Sequence, residues 1–156
     1  EGAARAAQAS GVKVPLLLEN VPGGGRRMGG TLEELAELAG LLERRGIETG
    51  FCLDTAHAWA QGYDLSSAEA AWKFLGRVHR ELGSERVRLF HLNDSRALLG
   101  SRREDHRHWG EGRLGLEGVK FLLSRPEFSD TPAILETPPG ERERENLELL
   151  GRLARG

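Results

Sequence analysis

The sequence predicts an α/β fold of the parallel (β/α) barrel type, with about four strand-helix units present, so a half-barrel. Two observations carry this. Short apolar runs alternate four times with helical periodicity, and each apolar run ends in a carboxylate or an imidazole. Strands alternating with helices imply parallel strands joined by right-handed crossovers. A doubly wound sheet would show a Gly-rich nucleotide turn after its first strand. PGGGRRMGG follows that strand here, but it lacks both the GxGxxG spacing and the GK[ST] of a phosphate loop. A closed barrel takes eight units and about 250 residues. Four units leave two sheet edges, to be covered by a missing half or by a partner chain.

The elements follow in order. Gly2 to Ala9 reads as a helix already under way, and the chain has no initiator Met, which points to a piece of a longer protein. VPLLLEN (Val14 to Asn20) is the first strand. The helix after it has Thr31 as N-cap, Glu34 at the capping-box position and Gly46 past its end. TGFCLDT is the second strand, and its helix opens at Ser66 or Ser67 and closes near Gly83. VRLFHLND is the third strand, with LEGVKFLLSR as its helix, halted by Pro126. PAILETP is the fourth, followed by the helix ERERENLELLGRLARG. No long linker or composition shift divides the sequence, so residues 1–156 read as a single domain.

The totals exclude several classes. With 38% hydrophobic and 29% charged residues, the chain reads as folded and soluble. Its apolar runs are far too short to span a bilayer, so no membrane partner is expected. The N-terminal stretch has no apolar signal-peptide core. A single cysteine, Cys52, suits a reducing compartment and a cytoplasmic location. The net charge of -2 argues against wholesale coating of nucleic acid, yet leaves room for a local basic patch.

The strand ends hold the candidate chemistry. Strand one ends at Glu19, strand two at Asp54, strand three at His91 and strand four at Glu136. In a barrel all four would sit at the C-terminal rim, where active sites are built. One such residue alone would read as a cap or an ion pair. Four in register form an oxygen-rich set suited to a divalent metal. A second set lies beside it: His57, in the loop after Asp54, and Glu104, Asp105, His106 and His108 in GSRREDHRHWGEG. A carboxylate two residues before a histidine can place both on one metal from a turn. Asn93 and Asp94 stand where groups that orient ligands would stand. Thr55 is placed to hold the turn between Asp54 and His57. Cys52, Trp72 and Phe74 read as packing, Trp59 and Trp109 as core or site wall, and His79 as a helix-surface residue. Arg26, Arg27, Arg96, Arg102, Arg103, Arg107 and Arg113 all fall in loops at the ligand end, while the acids concentrate in the helices. That asymmetry suits an anionic substrate.

LLLENVPGGG, GFCLDTAHAWAQGYDL, FHLNDS, GSRRED-H, GEGRLG and ILETP occur in this order over essentially the whole chain. Together they resemble the endonuclease IV family of apurinic/apyrimidinic (AP) endonucleases, in the C-terminal half of the xylose-isomerase-like TIM barrel. The resemblance implies three zinc ions in the complete protein, with two sites plausible here. Glu19 would bridge the first and second ions and serve catalysis. Asp54, His91 and Glu136 would complete the second. His57 and His106 would bind the third with Glu104, which stands where the family usually has Asp; the loop spacing favours Glu104 over Asp105. This chain also has Ala56 where the family usually has Cys, and Arg96 where it usually has Lys. Two further histidines of the first site belong to the family's N-terminal half-barrel, the expected partner of this piece, so this chain alone is expected to cleave poorly.

The resemblance implies hydrolysis of the phosphodiester 5′ of an abasic site in double-stranded DNA, with Arg26, Arg27, Arg96, Arg102 and Arg103 contacting the DNA. The competing reading is a sugar isomerase or epimerase, which uses a similar Glu-Asp-His-Glu rim around one ion. His57, the Glu104/His106 pair and the arginine loops favour the nuclease, because an isomerase needs no second metal cluster.

Overall fold

The computed structural model describes residues 14–140 and 142–155, together with Gly2, Ala6 and Ala9. The helix expected from Gly2 to Ala9 therefore lies largely outside the described residues. The frame is a four-stranded sheet in which every pairing is parallel. Its strands are β1 (Leu16–Glu19), β2 (Thr49–Asp54), β3 (Val87–His91) and β6 (Ala133–Ile134), in that spatial order. Helices α1 (Leu32–Glu43), α3 (Ala68–Leu82), α4 (Glu117–Leu123) and α5 (Glu143–Ala154) fill the connections and the C-terminus. The predicted parallel α/β frame with four strand-helix units is present. β1 and β6 are its edges, and Leu16 and Ile134 on them are exposed.

Each helix forms for a local reason. In α1 the Thr31 hydroxyl accepts from Glu34 N at 3.1 Å, and Glu34 Oε2 accepts from Thr31 N at 3.5 Å as well as from Gly29 N and Gly30 N at 3.0 and 2.9 Å. That closes the capping box the sequence predicted. Ser67, not Ser66, caps α3 by accepting from Ala70 N at 3.1 Å. Ala71, Phe74, Leu75, Val78 and Leu82 form the buried stripe of α3 at helical spacing. Trp72, read as packing from the sequence, falls off that stripe and is 62% exposed. All six residues of β2 are buried, as a strand covered on both faces must be.

Three elements depart from the sequence reading. The fourth strand keeps ladder pairing only over Ala133–Ile134, because side chains take over beyond it: Glu136 N donates to Asn93 Oδ1 at 2.7 Å. The third strand ends at His91. Asp94–Ser95 (β4) then pairs antiparallel with His106–Arg107 (β5), placing Asp94 opposite Arg107 and Ser95 opposite His106. His57 and Arg107, read as loop residues, therefore lie elsewhere: Arg107 is on β5, and His57 is in a helix, α2 (Thr55–Gln61). Asp54 caps α2 by accepting from His57 N at 2.7 Å, and Gly62 ends it at φ 117°. Two turns are too short for apolar periodicity to reveal, although the Asp and Gly caps are a visible signal.

The outer face gives a direct check of packing. Phe74→Ala should destabilise the chain by about 3–5 kcal/mol, as burying and then deleting an aromatic ring does. Trp72→Ser should stay within about 0.5 kcal/mol. Urea unfolding followed by circular dichroism reads both. Equal losses would place Trp72 in the core after all.

Candidate metal centre

The four strand-end residues converge. Glu19, Asp54, His91 and Glu136 each present a ligand atom within 4.8 Å of the others. Glu19 Oε1 lies 3.0 Å from His91 Nδ1 and 3.3 Å from His57 Nδ1, and Glu136 Oε2 lies 3.2 Å from His91 Nδ1. Parallel register explains the convergence: Glu19 pairs with Cys52, Asp54 with His91 and His91 with Ile134, so the strand ends form one rim.

The second set meets the first at Asp54. Ligand atoms of Asp54, His57 and His106 lie within 4.8 Å of one another. Glu104 stands beside both histidines, with Oε2 3.6 Å from His57 Nε2 and Oε1 3.9 Å from His106 Nε2. Asp105 turns away instead, to Arg107 at 2.8 Å and Arg96 at 3.4 Å. His108 Nδ1 is the acceptor for Asn146 Nδ2 at 2.8 Å. The two ligand sets are thus contiguous through Asp54, where the sequence reading kept them apart.

The histidines show how the residues fit a metal. His57 Nδ1 is 2.9 Å from Asn20 O, and His106 Nδ1 is 3.2 Å from Glu136 O. A carbonyl oxygen only accepts, so each Nδ1 carries a proton and each Nε2 is turned to the carboxylates. Both Nε2 atoms are buried without a hydrogen-bond partner among the described residues. A buried, unpartnered ring nitrogen beside carboxylates is a position that a divalent cation would satisfy by replacing its proton. Cys52 also lies within this reach of Glu19 and His91. Burial first, then the charges of Glu19, Asp54 and Glu136, push its thiol up to about 12, so it stays protonated at neutral pH.

Protons and buried amides hold the rim together when no metal does. Burial opposes a charge on His57, but hydrogen bonding to Glu19 and the charges of Asp54 and Glu104 outweigh it, and its pKa is raised to about 9. The same bond to His57 lowers Glu19 against its own burial. Asp54, fully buried, is pushed above its ordinary value by desolvation, with His57 opposing. Asn20, which the sequence reading passed over, clamps β1 to β2: its Nδ2 donates to Asp54 O at 3.0 Å and its Oδ1 accepts from Asp54 N at 2.7 Å. The Thr55 hydroxyl donates to Asn93 O at 2.7 Å and accepts from Asn93 N at 2.9 Å. It stitches strand ends and does not hold the Asp54–His57 turn. Asp94 is also fully buried and accepts from the backbone N–H groups of Ser95, Gly110, Gly112 and Leu114 at 2.8–3.1 Å. It thereby anchors the loop that follows β5. Trp59 and Trp109 are buried, and their indole N–H groups donate to Ala97 O and Leu92 O.

The arginines frame the rim. Arg26, Arg27, Arg102 and Arg103 are exposed and form no ion pair among the described residues. Arg102 N donates to Ala60 O at 2.8 Å, which ties its loop to the end of α2. Arg96 is exposed and approaches Asp105.

Parallel strands with potential ligands gathered at their C-terminal ends form a barrel-type candidate metal centre. Residues 1–153 match the model of the xylose isomerase-like TIM barrel family, and the chain belongs to that family. Within it, the chain is similar to proteins named probable endonuclease 4. It is 41% identical over 156 residues to the one from Chloroflexus aurantiacus, covering 96% of this chain and 53% of that relative. It is 43% identical over 143 residues to the one from Nitratidesulfovibrio vulgaris, covering 90% and 50%. The crystal structure of endonuclease IV from Thermus thermophilus superposes with a TM-score of 0.87 at 39% identity, over 99% of this chain and 55% of that one. The chain spans about half the length of the curated relatives it matches.

The metal-free chain should show a pH signature of His57. A histidine raised from 6.5 to about 9 in the folded state adds stability that is complete below pH 6.5 and fades as pH rises through about 9. The urea midpoint of chelator-treated chain should fall between about pH 6.5 and 9.5, and His57→Asn should flatten that slope. An unchanged slope in the variant would refute the assignment.

Proposed function

We propose that this chain is the metal-binding and DNA-contacting part of a zinc-dependent AP endonuclease, which hydrolyses DNA on the 5′ side of abasic sites in base excision repair. One observation carries the reading. His57 and His106, with open buried Nε2 atoms, abut the Glu19-Asp54-His91-Glu136 set. A sugar isomerase or epimerase has use for the rim set alone, so the second cluster favours phosphodiester chemistry. The relatives named probable endonuclease 4 support the same reading. The role places the protein in the cytoplasm with the DNA. Among the described residues, no helix is long and apolar enough to cross a membrane.

Glu19, Asp54, His91 and Glu136 would hold one zinc, and His57, Glu104 and His106 another. A third would take Glu19 plus ligands from an N-terminal half-barrel outside this chain. When bound, zinc supplies Lewis-acid charge and brings the pKa of water to about 7. The chain's own residues do the rest. Glu19, held ionised by its bond to His57, would orient or deprotonate the attacking water. Asp54 at the end of β2 and Glu136 just beyond β6 would fix the rim on either side of His91, with Asn20 and Asn93 holding their backbones. Arg26, Arg27, Arg96, Arg102 and Arg103 form a cationic frame for phosphate oxygens, which the guanidinium fork fits bidentately. An abasic nucleotide has no base to unstack, so it enters such a site at low cost.

The test is incision of a duplex carrying one abasic site, in zinc. The chain alone should cut slowly or not at all, and adding the N-terminal half of the Thermus thermophilus endonuclease IV should raise the rate at least tenfold. Incision of intact duplex with equal efficiency, or full turnover that survives chelation, would reject the proposal.

Metal counting separates the ligands. His106→Ala should lose about one zinc equivalent by atomic absorption, whereas His108→Ala, whose ring is engaged with Asn146, should lose none. The reverse result would move the ligand to His108.

A further inference from the structure

The Asn93 side chain touches two of the candidate metal ligands at once. Its Nδ2 donates to Asp54 Oδ2 at 2.7 Å, and its Oδ1 accepts from Glu136 N at 2.7 Å. A carboxylate only accepts and a peptide N–H only donates, so both contacts fix the same orientation of the amide. Asn93 is fully buried, as is Asp54. The carboxylate is therefore held at both oxygens, Oδ1 by His57 N and Oδ2 by Asn93. Oδ2 is also the atom that faces His106 Nε2, at 3.8 Å. The Glu136 peptide continues the chain of contacts, since its carbonyl accepts from His106 Nδ1.

We infer that Asn93 is a positioning residue that aims Asp54 and Glu136 at the metals without neutralising either. The reasoning is electrostatic. A lysine or arginine at this place would hold Asp54 equally firmly, but its charge would compete with a cation for the same carboxylate. An amide supplies the hydrogen bond and leaves the full negative charge available. It also removes rotational freedom that ligation would otherwise have to freeze. Asn93 reaches Asp54, which belongs to both ligand sets, and the backbone of Glu136, which belongs to one. Its removal should weaken both sets together.

This inference rests on the metal-site reading above, and the test keeps the two separable. Zinc affinity of the full 156-residue chain would be measured by competition with a chromophoric chelator, and metal-free stability by urea unfolding. Asn93→Ala is expected to lower zinc affinity about 10–100-fold at sites that share Asp54. Thr55→Val is the structural control. It breaks the two bonds between Thr55 and the Asn93 backbone, at the same strand junction, without touching the Asp54 carboxylate. It should lose stability yet keep zinc affinity within about twofold. If Asn93→Ala does not fold, Asn93→Leu, which fills the same space, is read in its place. Equal affinity losses in the Asn93 and Thr55 variants would make Asn93 a mere strand tie and overturn the inference, as would unchanged affinity in the Asn93 variant. A wild-type chain that binds no zinc would overturn the metal-site reading and the inference with it.

Discussion

The rest of the rim depends on one buried carboxylate. Asp54 is fully inaccessible, at the end of a strand buried over its whole length. An ionised carboxylate in such a place is costly, and its raised pKa expresses that cost. The fold offsets it with backbone and amide dipoles more than with a permanent cation. Asp54 accepts from the first turn of α2 at one oxygen and from Asn93 at the other, and its own backbone is clamped by Asn20. The charge is thus oriented while much of it stays unneutralised, and a divalent cation is the group that would complete it.

That arrangement would link protonation to metal uptake. In the metal-free state the His57 imidazolium lies among Glu19, Asp54 and Glu104 and stands in for missing positive charge. A metal at His57 Nε2 must displace that proton, so binding and pH are coupled by the same geometry. The proton offsets part of the negative charge gathered at the rim. The exposed arginines lie outside this cluster, Arg102 in a loop tied to the end of α2 and Arg96 beside Asp105.

Much of this was readable along the chain, because it depends on local rules. The capping box of α1 follows from spacing alone, and Glu19, Asp54, His91 and Glu136 were visible as one acid or imidazole per strand end. Glu104 was preferred over Asp105 from loop spacing, and the structure places Glu104 beside both histidines while Asp105 pairs with arginines. Other features were hidden for definite reasons. Helix α2 is too short for periodicity to declare it. Trp72 sits where helical phase, a matter of one position, decides exposure. Asn20 and Asn93 look like ordinary turn residues until the strands come into register and their amides find partners 34 to 43 residues away.

The sequence by itself determined the order of strands and helices, the helix caps and the kinds of ligand atom available, because these depend on neighbours within a few residues. Only the tertiary structure decided which histidine nitrogen is open, which acid faces which ring, and that the two ligand sets meet at Asp54. Those depend on distances between strand ends far apart in sequence. Parallel register brings those strand ends side by side, and no local pattern encodes it.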